Sequence, residues 1–148
     1  MVIARILLET CVFTIIQVGT MALECIFDIA RDHVICRVSG QFTVEDGVRV
    51  IQSTVTACNL NGHKHALIDA TGIETPVAAT TKIIAAHKVE ELFDKLSEMG
   101  QTIPRIAVFC STYFIGQYKS VSECFQMEGI QFRFFDSIFA AKEWFFAS

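Results

Sequence analysis

His63 and His65 flank a single lysine, so on an extended backbone both imidazoles face the same side, an arrangement that can ligate a metal. A metal site needs at least a third ligand. The nearest thiol, Cys58, falls in a helical stretch, and the pair reads instead as loop histidines with no metal between them. His87, Glu90 and Glu91 have the spacing of neighbours on one helix face, which gives a solvated charged stripe. Acyl, phosphoryl or glycosyl transfer requires a nucleophile and a base oriented by a third group. No Ser/His/Asp or Cys/His set has that context here, so neither catalysis nor a cofactor is expected.

The remaining candidates are acids and hydroxyls near the ends of apolar runs. Asp69 closes the run Ala66-Leu67-Ile68-Asp69, and open α/β sheets place ligand-binding groups at the carboxyl ends of their strands. Its plainer role is to accept hydrogen bonds from backbone N–H groups of its own loop. Ser111 and Thr112 follow the run Arg105 to Cys110 and invite the same two readings, ligand contact or helix cap. Thr71, Thr80 and Thr81 lie near a helix start, where a hydroxyl accepts phosphate or simply caps.

The elements that must position these groups can be read from periodicity. Leu23 to Ile29 and His33 to Val38 are β-branched runs joined by a polar turn, which predicts a hairpin. Thr43 followed three residues later by Asp46 resembles a capping box, and Val44, Val48, Ile51 and Val55 then form one helical stripe that ends near Gly62. A third strand covers His65 to Asp69. A second helix opens at Thr75-Pro76, carries Ala85, Val89, Leu92 and Leu96, and stops at Gly100. A fourth strand follows Pro104, a third helix runs from about Tyr113 to Met127, Ile130 to Phe134 alternate as a fifth strand, and Ser137 caps a last helix. The predicted order is ββαβαβαβα, an α/β domain with a largely parallel sheet of five strands and four helices.

Composition bounds what such a domain does. The 148 residues are 52% hydrophobic and 19% charged, enough for one sizeable core. A net charge of −4 with dispersed basic residues leaves no footprint for nucleic acid. Six cysteines without a C-x-x-C pair, several inside apolar runs, point to free buried thiols and a cytoplasmic setting. Residues 1–20 are apolar, but Arg5 and Glu9 interrupt them, so they are read as an accessory segment, or as a leader before a true start at Met21, and not as a membrane span. The domain proper is expected over 21–148. Nine of the thirteen phenylalanines lie at or beyond Phe109. Phe114, Tyr118 and Phe125 share one helix face, a packing stripe first and the wall of an apolar pocket or interface second.

With its strand Val34 to Gly40, Thr43-Val44-Glu45-Asp46, the strands Ala66 to Asp69 and Arg105 to Val108, and Phe134-Phe135-Asp136 followed by Ala140 to Trp144, the chain resembles the STAS fold, specifically the SpoIIAA-like family. The resemblance spans about residues 21–147 and implies a non-enzymatic regulatory module that binds a protein partner or a second copy of itself. A related arrangement occurs in the CRAL-TRIO lipid carriers, which implies as an alternative a carrier or sensor of a small apolar ligand. Anti-sigma-factor antagonists of this fold carry Asp-Ser-Ser-Gly at the start of the second helix, where phosphate on the second serine alters partner affinity. Asp69-Ala70-Thr71-Gly72 approximates that motif, but by position it falls nearer Val77-Ala78-Ala79-Thr80, which has neither aspartate nor serine. Partner or ligand contacts are therefore expected among Asp69, Thr71, Thr80, Thr81, Ser111 and Phe114.

Overall fold

The computed structural model describes residues 23–74, 79–112, 115, 125 and 129–147. Leu23–Ile29 (β1) and Val34–Gly40 (β2) form the antiparallel hairpin, and alternation decides its faces. Leu23, Cys25, Phe27, Val34, Cys36 and Val38 point into the core, while Glu24 and Ile26 face outward. His65–Ile73 (β3), Arg105–Phe109 (β4) and Phe132–Phe135 (β5) add in parallel, giving one five-stranded sheet in the order β1-β2-β3-β4-β5.

Val44–Asn61 (α1) starts where the sequence places it. The Thr43 hydroxyl oxygen accepts the Asp46 N–H at 3.2 Å, and Gly62, at a left-handed φ of 69°, closes the other end. The Asn59 amide then behaves like a piece of backbone. It donates to the Thr102 carbonyl at 2.9 Å and accepts the Thr102 N–H at 3.1 Å, tying the end of α1 to the segment that leads into β4. Ala79–Glu98 (α2) buries Val89, Leu92, Phe93 and Leu96. Ile138–Phe145 (α3) is capped by Ser137, whose Oγ accepts the Ala140 N–H at 3.3 Å.

The helices are unequally divided. On the inner face, α1 and α2 cover the even-numbered residues of β2 to β5 together with Leu23, Cys25 and Phe27, forming the main core with Phe125. On the outer face, among the described residues, α3 packs against Leu67, Ala107, Phe109 and Phe135.

Three expectations change. The third strand does not stop at Asp69: β3 runs nine residues to Ile73 because it takes up one extra residue at Ala70-Thr71, opposite Val38 of β2, and resumes pairing as Ser39 to Gly72 and Gly40 to Ile73. Gly72 makes that approach possible, since a Cβ there would lie 2.7 Å from the Val38 carbonyl oxygen. The fifth strand begins at Phe132, not Ile130, because its pairing with β4 begins at Ile106 to Phe132. Three helical elements are laid out among the described residues against the four expected. The predicted helix over 113–127 falls almost wholly outside them, with Thr112, Ile115 and Phe125 helical, as does the predicted opening of the second helix at 75–78.

Candidate functional site

The sequence-nominated residues divide between the two faces. Asp69 and Thr71 are brought together on the outer face of β3, where the Asp69 Oδ1 accepts the Thr71 N–H at 3.0 Å and the Thr71 hydroxyl at 2.6 Å. That is a self-satisfied turn of side chain onto backbone, made within a strand and not in a loop before a helix. Thr81 sits half-buried in the first turns of α2, on the opposite side of the sheet, and Ser111 is exposed after β4. Thr80 is helical, its side chain is not described, and Phe114 lies outside the described residues.

What the inner face holds instead is a cavity of about 130 Å³ between the sheet and α1 and α2. Its walls are almost entirely apolar, with Phe42, Ile51, Ile68, Val89, Val108 and Phe134 among them. Two side chains depart from that character. The Lys82 ammonium is buried in the wall, and loss of water pulls its pKa below the ordinary lysine value. The Cys110 thiol is pushed up to about 11 by burial and then by the Asp136 carboxylate, which leaves it protonated and unreactive at neutral pH. Phe42 overhangs this space because Gly47 makes room: a Cβ on Gly47 would lie 2.6 Å from the Phe42 ring. The place of the pocket was not legible in the sequence, because the residues lining it are ordinary stripe positions of seven different elements.

Two further buried thiols are equally quiet, whereas the contact with Cys36 pulls the Cys25 thiol below its ordinary value. Cys58 donates to the His65 carbonyl at 3.7 Å and is pushed up to about 12 by burial. Cys36 is pushed well up by its contact with the Cys25 thiol and by burial. Among the described residues no group of three or more His, Cys, Asp and Glu side chains is placed to hold a metal ion. The histidine pair is split by the start of β3: His65 is its first residue and no loop residue, and its ring packs against Phe145 and Phe146 at 5.4 Å. His87 keeps its expected place on a charged helix face, 3.8 Å from Glu90.

A second, wider cleft of about 730 Å³ opens at the amino ends of the parallel strands, lined by Lys64, His65, Asp94, Arg105, Gln131 and Phe146 among others. Arg105 dominates it without being free. Its Nε donates to the Gln131 side-chain oxygen, and its Nη1 is committed to carbonyls at the end of α3.

No protein-family model and no curated protein matches the chain. Solved structures do. The chain is similar to an anti-sigma factor antagonist from Mycobacterium paratuberculosis, with a TM-score of 0.53 and 11% identity over 84% of this chain and 95% of that one. It is also similar to an uncharacterized DUF3478 protein with a SpoIIAA-like fold from Shewanella loihica PV-4, with a TM-score of 0.45 and 18% identity over 88% of this chain and 98% of that one. At such identities the likeness speaks for the backbone alone. No described helix is long and apolar enough to cross a membrane. Sheet order, parallel pairing and the antagonist's likeness agree on one architecture: the chain has a STAS-type fold.

Proposed function

We propose that this chain is a non-enzymatic regulatory module that acts by binding a protein partner through the first half of α2 and the neighbouring carboxyl ends of the strands. One observation carries the reading. Ile83 and Ile84 stand side by side in the first turns of α2 at 57% and 51% exposure, an apolar pair at the end of the sheet where Thr80, Thr81 and Ser111 are also found. Asp69 and Thr71 border that surface from the other face of the sheet. The anti-sigma factor antagonist supports a regulatory role by likeness of fold. The free buried thiols suit the reducing interior of a cell.

The test is capture from a native lysate with the wild-type chain and with Ile83→Glu/Ile84→Glu as baits, alongside the mass of the purified chain in solution. One protein, or a second copy of the chain, retained by the wild type and lost with the double variant supports the reading. Equal recovery by both baits, or a bare monomer that recovers nothing, refutes it.

The inner cavity favours a second reading, a sensor of a small apolar ligand. Its volume of about 130 Å³ is below the roughly 300–1,000 Å³ of sites for drug-sized ligands and close to the ~150 Å³ that admits benzene. The ligand would therefore be a single ring or a short chain, with Phe132 and Phe134 contributing aromatic wall. Native mass spectrometry of the purified chain separates the readings: a bound mass of that size, lost on Ala86→Phe, favours the ligand, and an unliganded mass removes it.

A further inference from the structure

An isolated helix of eight residues does not hold together in water, so α3 is helical because of what grips it. The grip is concentrated at its C-terminal end, where an α-helix leaves its last carbonyls without intrahelical donors. Arg105 Nη1 donates to the carbonyl of Trp144 at 2.8 Å, of Phe145 at 3.3 Å and of Ala147 at 2.8 Å, placing a cation at the negative end of the helix dipole. The Trp144 ring lies 5.5 Å from the Arg105 guanidinium and 5.4 Å from that of Arg133. Phe145, fully buried, packs between two imidazoles, His33 at 5.7 Å and His65 at 5.4 Å.

We propose that this contact is a pH-sensitive latch: protonation of His65 releases α3 from the sheet and uncovers the shelf formed by Leu67, Ala107, Phe109 and Phe135. The groups facing His65 set the direction. Arg105 on β4 is its cross-strand neighbour in register, Lys64 and His63 precede it on the chain, Asp32 and His33 approach from the turn between β1 and β2, and Asp94 of α2 lies across the cleft. Loss of water beneath Phe145 and Phe146, and then the Arg105 charge, hold the His65 pKa below the usual imidazole value, although the Phe145 backbone and Asp32 pull the other way. Release frees the Arg105 guanidinium from the carbonyls at the end of α3 and rehydrates both it and the ring, which screens the repulsion and restores an ordinary pKa. The released state therefore binds the proton more tightly than the docked one. Docking is at full strength above the ordinary pKa of about 6.5 and weakens as pH falls below it. His33 lies on the other side of Phe145. Its Nδ1 meets Asp32 Oδ1 at 2.6 Å, but its buried Nε2 has no hydrogen-bond partner among the described residues, and water reaches that atom once Phe145 lifts.

The chain contains one tryptophan, and it is Trp144, so intrinsic fluorescence reads α3 selectively. Titrating the full chain from pH 8 downward, we expect a change in Trp144 emission below roughly pH 6.5 while far-UV circular dichroism still reports the sheet and the two long helices. His65→Phe keeps an aromatic ring against Phe145 and Phe146 without a titrating group, and it is expected to hold the emission at its neutral-pH value through that range. Should that variant fail to fold, His65→Gln makes the same comparison, and the NMR titration of His65 in the wild type is expected to show a midpoint below that of a free histidine. Emission that stays constant until the sheet itself unfolds, an unchanged transition in the folded variant, or a His65 midpoint at or above the ordinary value would each overturn the latch.

Discussion

The inner and outer faces of this sheet are closed in different ways. Among the described residues the inner face carries aliphatic, cysteine and phenylalanine side chains beneath two helices of 18 and 20 residues, and its cohesion comes from burial of apolar surface. Among the described residues the outer face carries one helix of eight residues, and its cohesion comes from a guanidinium, two imidazoles and tilted aromatic rings. Beyond α3 the outer face carries an Arg37–Asp28 ion pair and an exposed Ile26. An apolar seal of that size responds little to pH, whereas a small helix held by charge and imidazole packing responds to both pH and competitors.

Substitutions can break this contrast, and the largest effect belongs to the inner face. Phe27→Ala removes a fully buried ring from an edge strand that α1 also packs against, and it is expected to lower global stability by about 3–5 kcal/mol in urea unfolding. Phe145→Ala removes an equally buried ring, but α3 can lift away instead of leaving a cavity. Its loss is expected to be smaller, about 2 kcal/mol, with Trp144 emission changing before the circular dichroism does. Coincident transitions for both probes would erase the distinction between the faces. Gly72→Ala tests the seam that both faces share: the new Cβ meets the Val38 carbonyl, so about 1–3 kcal/mol should be lost as the β2 to β3 pairing parts at the bulge. The smallest effect is chemical. With their pKa values pushed up to about 12 and about 11, Cys58 and Cys110 should resist iodoacetamide at pH 8 in the folded chain and react in urea, as read by mass shift. Rapid labelling of either thiol in the native state would mean the inner seal opens more readily than its packing implies.

Local hydrogen bonds explain what the sequence made legible. Thr43 and Ser137 cap the helices predicted from them, Gly62 and Gly100 take the left-handed backbone on which α1 and α2 end, and the stripe Val89, Leu92 and Leu96 is buried. Each depends on residues within a turn or two of one another. The candidate site was less legible. Asp69 does receive hydrogen bonds from its own neighbours, but it does so at a bulge inside a strand whose further length depends on pairing with Ser39 and Gly40, more than thirty positions earlier, which no window around Asp69 contains.

The order of strands and helices, the caps and the composition of the core follow from the chain itself, because periodicity and capping are satisfied between near neighbours. Tertiary structure alone decided that β3 extends to Ile73, that Arg105 reaches carbonyls about forty residues away, that His65 belongs to the grip on α3, and that stripe residues of several elements leave a cavity between them. Those outcomes depend on how distant surfaces meet, and the free energy of such meetings is shared among residues that carry no common local signal.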